Sequence, residues 1–179
     1  ELRSEEDNYI VSALLFSMQR DTRNSFMNPT RGATFEVNTE LLPEFLGSYS
    51  DIYKLRASAQ KYVPIDAVPL VGDLVLKLSG DVGVVDNVSG AEVAIFQRYF
   101  AGGQSTFRGF ARREVGPVDV NEDPVGGRSV LLGTLEMMKP FTKTVKGRLF
   151  LDFGNVWRDA WGWAASELNA SAGVGISIN

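Results

Sequence analysis

The 179-residue chain contains neither histidine nor cysteine. Without cysteine there are no disulfides and no thiolate metal sites. Without histidine the usual general base, nucleophile-activating partner and zinc ligand are missing, which argues against an enzyme. Long apolar runs are missing too. Stretches such as Ala13-Leu14-Leu15-Phe16 fall far short of the roughly 20 residues a spanning helix needs, so a helical membrane protein is excluded. A spanning strand is not excluded, because only every second residue must be apolar. Positive charge is in deficit, with 18 Lys and Arg against 22 Asp and Glu and a net charge of −4; non-specific nucleic-acid binding is not expected. Gly102-Gly103 is not followed by the Lys-Ser/Thr of a phosphate-binding loop, and no Gly-x-Ser-x-Gly elbow occurs. No metal or other cofactor is expected. Residues 1–8 are acidic and polar, unlike a secretory leader, and the chain is expected to begin inside a longer protein.

What the chain has in abundance is period-two alternation. Ala33, Phe35, Val37, Thr39 and Leu41 interleave with Thr34, Glu36, Asn38 and Glu40. Leu74, Leu76, Leu78, Gly80, Val82 and Val84 interleave with Asp73, Lys77, Ser79 and Asp81. Leu149, Leu151 and Phe153 flank Arg148 and Asp152, and Ala170 to Ile178 alternate with Ser, Gly and Asn. This pattern predicts strands with one apolar and one polar face. Seven are predicted, near 8–20, 32–43, 51–64, 72–87, 128–140, 145–158 and 167–179. Soluble antiparallel sheets alternate in the same way. Two features favour a membrane barrel: most strands exceed the ~5–6 residues of a soluble strand, and their polar faces carry small and mixed-charge residues, as a water-filled lumen would. Trp157, Trp161 and Trp163 cluster at one strand end and its loop. They suit either an interfacial aromatic girdle or a small apolar lid.

Antiparallel neighbours must alternate direction. The count therefore puts the connections 43–50 and 88–127 at the outer end and 21–31 and 66–71 at the inner end. A loop as long as 88–127 is uncommon in a β-domain and is usually functional or disordered; this one is too aromatic for simple disorder. Its centre reads Phe100-Ala101-Gly102-Gly103-Gln104-Ser105-Thr106-Phe107-Arg108-Gly109-Phe110. Gly102 and Gly103 allow a backbone turn that other residues resist. Arg108 sits among apolar neighbours, and a buried arginine needs a carboxylate partner.

With Gly116-Pro117, Gly126-Gly127, Asn28-Pro29-Thr30-Arg31-Gly32, a strand end at Tyr62-Val63-Pro64-Ile65 and Asp152-Phe153-Gly154-Asn155-Val156-Trp157, the chain resembles the BamA-type assembly barrels. Their relatives are the two-partner secretion transporters and organellar import barrels. The resemblance covers nearly the whole chain, in family order. It implies an all-β fold, part of a sixteen-stranded transmembrane antiparallel barrel behind periplasmic POTRA domains. Residues 1–179 would supply about strands eight to fourteen, with 88–127 as the long sixth extracellular loop folded into the lumen. Seven strands cannot close such a barrel, and an open edge in lipid is costly.

In the family the Arg-Gly-Phe tip, here Arg108, Gly109 and Phe110, pairs inside the lumen with acidic residues of the next two strands, here Glu136 and Asp152. Both carboxylates lie on the polar phase of their strands. The implied function is folding and insertion of β-barrel proteins into the outer membrane of a diderm bacterium. The clients are unfolded outer-membrane proteins, with periplasmic chaperones, accessory lipoproteins and outer-membrane lipids as partners. A polypeptide-conducting pore of the same superfamily, in a bacterial or organellar outer membrane, is the alternative, and a passive porin a further one.

Overall fold

A computed structural model of the chain describes residues 11–68, 72–142 and 144–178. Residues 1–10, which include the start of the first predicted strand, lie outside the described residues, as does the tip of the turn at 69–71. The described chain is one antiparallel sheet of seven strands in sequential order. They are β1 (Leu14–Asp21), β2 (Gly32–Leu42), β3 (Ile52–Val68), β4 (Gly72–Asn87), β5 (Ser129–Pro140), β6 (Val145–Trp157) and β7 (Asn169–Ile178). All seven overlap the strands predicted from the sequence. β1 and β7 each have one partner strand, so the sheet is not closed among the described residues.

The meander puts the β1–β2, β3–β4 and β5–β6 connections at one end and 43–51, 88–128 and 158–168 at the other, as the strand count requires. The expected end of β3 moves. Tyr62-Val63-Pro64-Ile65 does not end β3: Pro64 pairs with Val75 of β4, and the strand runs to Val68 with a register shift after Ile65. The reason is local. The last β2 pair is Gly32↔Tyr62, so Pro64 has no β2 neighbour to miss its absent N–H. The predicted strand end at Pro140 coincides with the end of β5, where Pro140 pairs with Lys146. That hairpin is closed by Phe141 and Thr142 N–H groups donating to the Val145 carbonyl at 2.9 and 3.1 Å.

The two sheet faces differ in kind. The outward phase of β5–β7 carries Leu135, Met137, Leu149, Leu151, Phe153, Val174, Ile176 and Ile178, all exposed. The inner face has three zones. Tyr62, Val75 and Met138 form a small buried cluster towards the inner end. The middle is polar, with Arg56, Lys77, Asp81, Glu136, Arg148 and Asp152. At the outer end Leu42, Ile52, Val85, Val130 and Val156 are apolar and buried beneath Val93, Tyr99, Ala101, Phe107 and Val115 of the long loop. The principal core of this open sheet is therefore between loop and strands.

Candidate functional site

The long loop doubles back on itself through isolated bridges, Tyr99↔Gly127, Ala101↔Val115 and Gly103↔Phe107. Its tip thereby points along the inner face. Gly102 and Gly103 both take positive φ, 118° and 90°. The Thr106 hydroxyl closes the turn, accepting from the Gly102 N–H and donating to the Gly102 carbonyl at 3.0 and 2.9 Å. Two aromatic anchors hold the loop down. Phe107 is 1% exposed and lies 4.8 Å from the Phe110 ring, centroid to centroid. The Tyr99 ring occupies the space a side chain at position 83 would fill: a Cβ on Gly83 would meet it at 2.7 Å. The Tyr99 hydroxyl donates to the Leu55 carbonyl at 3.1 Å. Burial pushes this phenol far above its ordinary value, so it remains a donor at any physiological pH.

Arg108 comes next in the chain after Phe107 and is aimed into the polar zone. Its Nε and Nη2 donate to the two oxygens of Asp152, both at 2.7 Å, and its backbone N–H adds a third contact at 3.2 Å. Nη1 donates to Glu136 Oε2 at 2.7 Å. The guanidinium carbon lies 3.6 Å from the centroid of the Phe150 ring, a stacked cation–π contact. The strands set this geometry. Asp152 is paired with Thr134, and Glu136 is two residues further along β5 on the same face. One guanidinium fork thus spans two carboxylates on neighbouring strands. Glu136 and Asp152 are 2% and 3% exposed, a burial that charged carboxylates sustain only when paired. The Thr134 hydroxyl donates to Asp152 at 2.8 Å, and Arg148 approaches the second oxygen of Glu136 at 3.3 Å.

The seven sequence-designated residues thus fall into two groups. Arg108, Glu136 and Asp152 meet directly. Gly102, Gly103, Gly109 and Phe110 shape the loop that delivers Arg108. Gly109 has φ 86°, and a Cβ there would lie 2.9 Å from Cβ of Ser171 on β7. The Ser171 hydroxyl donates to the Arg108 carbonyl at 2.5 Å, tying the tip to a third strand. Phe107, Tyr99, Phe150, Thr134, Arg148 and Ser171 were not singled out by sequence. Thr134, Arg148 and Ser171 share the polar phase of the two carboxylates, and that phase was the available signal. Among the described residues no cluster of carboxylates could hold a metal ion.

A polar cavity of about 390 Å³ remains beside the ion cluster, between Arg56, Lys77, Asp81 and the loop tip. Arg56 and Asp81 form an ion pair across its floor.

Long alternating strands with an apolar outer face, and a loop locked to a polar inner one, define the wall of a transmembrane-type β-barrel. The chain belongs to the Omp85 superfamily: residues 2–179 match the Omp85 superfamily domain. It is 27% identical over 150 residues to a SAM50-like protein of Schizosaccharomyces pombe, covering 83% of this chain and 31% of that protein. It is 29% identical over 167 residues to the sorting and assembly machinery component 50 homolog of Mus musculus, covering 87% and 34%. The outer membrane protein assembly factor BamA of Neisseria meningitidis is 28% identical over 149 residues, covering 77% and 18%. The fold matches the crystal structure of BamA from Haemophilus ducreyi lacking POTRA domains 1-3, with a TM-score of 0.76 and 23% identity over 92% of this chain and 35% of that one. The chain spans about a third of the length of the first of these relatives.

Proposed function

We propose that this chain is the part of an outer-membrane assembly barrel, about strands eight to fourteen of sixteen, whose loop lock braces the lumen while the whole protein folds and inserts β-barrel clients. The observation that carries the reading is the bidentate Arg108–Asp152 contact with Glu136 on the adjacent strand, in a chain of the Omp85 superfamily. Unfolded outer-membrane proteins are the clients, with chaperones and accessory lipoproteins delivering them. The activity makes and breaks no covalent bond. It lowers the barrier for strands to enter lipid already paired, because unpaired backbone groups cost several kcal/mol each there. Arg108, Gly109, Phe110, Glu136 and Asp152 are bracing residues in this scheme, and Gly102 and Gly103 form the turn that lets the tip reach them.

The test is reconstitution of the full-length protein in liposomes with an unfolded barrel client. Insertion faster than into empty liposomes is expected, with Arg108→Ala reducing it. Equal rates with and without the protein would remove the insertion reading. The membrane is proposed to be the outer membrane of a diderm bacterium, in line with the Neisseria relative. An organellar outer membrane is the second reading, favoured by the eukaryotic sources of the SAM50 relatives. Fractionation of the source cells with an antibody to the barrel separates the two.

A further inference from the structure

Three cations besides Arg108 face the cavity at the ion cluster, and they are not equally engaged. Arg56 is committed to Asp81 on the adjacent strand, with Nε and Nη2 both donating to that carboxylate. Arg148 approaches Glu136 at 3.3 Å, but its Nε lies buried without an acceptor. Lys77 of β4 has no hydrogen bond or ion pair among the described residues. Yet it stands directly opposite Glu136 in the β4–β5 register. The Cβ atoms of such a pair are about 5 Å apart, well within the combined reach of a lysine and a glutamate. Arg108 binds Oε2 of Glu136; the other oxygen, Oε1, is buried and accepts no hydrogen bond. An unengaged ammonium and an unengaged carboxylate oxygen therefore line one cavity without being joined.

The charges around this cavity do not balance while the tip is docked. Its cations are Arg56, Lys77, Arg108 and Arg148, and its carboxylates are Asp81, Glu136 and Asp152, four against three. Arg108 is the one charge that the loop contributes, since Gln104, Ser105 and Thr106 are neutral. With the tip withdrawn, the strands alone carry three cations and three carboxylates around the cavity. Docking thus adds a surplus cation to a wall that is balanced without it. The two carboxylates of the lock also differ. Asp152 gives both oxygens to Arg108 and has no second ion pair among the described residues. Glu136 gives Arg108 one oxygen and turns the other towards Arg148. Asp152 is the half that captures the arginine, and Glu136 is the half at which cations can exchange.

We propose that Lys77 is a standby partner for Glu136 that makes the Arg108 lock releasable. As the tip withdraws, the Lys77 ammonium takes over the Glu136 oxygen that Arg108 Nη1 gives up, and Arg148 holds the other. Without that exchange, release would strand a buried carboxylate, the costliest outcome of breaking an ion pair. Asp152 keeps the Thr134 hydroxyl and gains water as the cavity opens. Lys77 is therefore a competitor of Arg108: it favours the released loop and sets the balance between two loop states. The inference rests on the bracing role proposed for Arg108 and adds a regulated release to it.

The test is amide hydrogen exchange of the peptide 103–110 in the full-length protein in lipid nanodiscs. This peptide holds the Phe107 and Arg108 amides, which donate to the Gly103 carbonyl and to Asp152. Lys77→Met removes the charge and keeps an unbranched side chain. It is expected to slow exchange about threefold to tenfold, within the range of coupling between groups that share a partner. Lys77→Gln is expected to act in the same direction. In an Arg108→Ala background the sign inverts: Lys77→Met should lower the urea midpoint of the barrel, because Glu136 then loses a partner in use. Unchanged or faster exchange in both Lys77 variants overturns the standby role, as does an unchanged urea midpoint on adding Lys77→Met to Arg108→Ala. In either case faster exchange in Arg108→Ala alone would leave the bracing role standing. Wild-type exchange in Arg108→Ala overturns the bracing role and the standby with it.

Discussion

Replacing Arg108 by alanine removes three side-chain hydrogen bonds and one cation–π contact in a single step. The cost can be built up from what is left behind. Asp152 retains the Thr134 hydroxyl, and Glu136 retains Arg148 at 3.3 Å, but both carboxylates stay almost fully buried. Removing one partner of a buried ion pair typically costs about 3–5 kcal/mol, most of it from the uncompensated charge. Arg108 is itself 24% exposed on its side chain, and water from the neighbouring cavity can reach the site. The expected loss is therefore near the lower end, about 3 kcal/mol. Arg108→Lys keeps the charge but not the planar fork, and should recover only part of it. The assay is urea unfolding of the full-length barrel in detergent micelles, followed by heat-dependent gel mobility, together with protease access to 100–115 in intact proteoliposomes. The variant should unfold at lower urea and its loop should become cleavable. A stability within about 0.5 kcal/mol of wild type, the size of a neutral surface change, with the loop still protected, would refute the idea that this ion cluster holds the loop.

Other consequences follow from the same geometry. Arg148→Ala should cost more in an Arg108→Ala background than in the wild type, because Arg148 is the nearest cation left to Glu136; a double-mutant cycle on unfolding free energies measures that coupling. Gly109→Ala should weaken loop docking by about 1–2 kcal/mol from the left-handed backbone alone, and Ser171→Gly should relieve the contact at Ser171 without restoring full stability, as read by loop proteolysis. Phe107→Ala should cost about 3–5 kcal/mol, as much as or more than loss of Arg108, since it empties a fully buried site. Gly83→Ala should displace the Tyr99 ring and lower stability by about 1–3 kcal/mol, whereas Tyr99→Phe, losing the hydroxyl contacts with the Leu55 and Val84 carbonyls, should cost about 1 kcal/mol.

The strands were legible because each keeps one face in one environment, so alternation in β2, β4 and β7 translates directly into inward and outward side chains. Asp152 and Glu136 were legible for the same reason: their phase put them inside. What alternation concealed lies where both faces of a strand are covered. Val84-Val85, Val130-Leu131-Leu132 and Val156-Trp157 are short apolar runs that interrupt the pattern; Val85, Val130 and Val156 sit under the long loop, and Val84 and Trp157 flank Ser129, which is bonded to the β6–β7 connection. In isolation such runs look like noise in the periodicity, yet they mark the two places where a loop returns to the sheet. Phe107 was hidden by a different cause. Four aromatic residues between 99 and 110 are equivalent in composition, and only the path of the backbone decides that Phe107 is buried while Phe110 stays partly open.

The sequential order of the strands bears on timing. Every strand pairs only with its chain neighbours, so the sheet can grow one hairpin at a time from its N-terminal side. Arg108 breaks that locality: its partners lie 28 and 44 residues further along, and Ser171 lies 63 residues after it. A growing sheet can seat Tyr99 against β3 and β4, yet it carries an uncommitted Arg108 tip through the addition of β5. It acquires a fixed interior only when β6 arrives with Asp152, and β7 then seals the tip. Docking of this tip is in effect a checkpoint on the completion of strands made after it, and pulsed hydrogen exchange should find the amides of 103–110 protected later than those of β3 and β4.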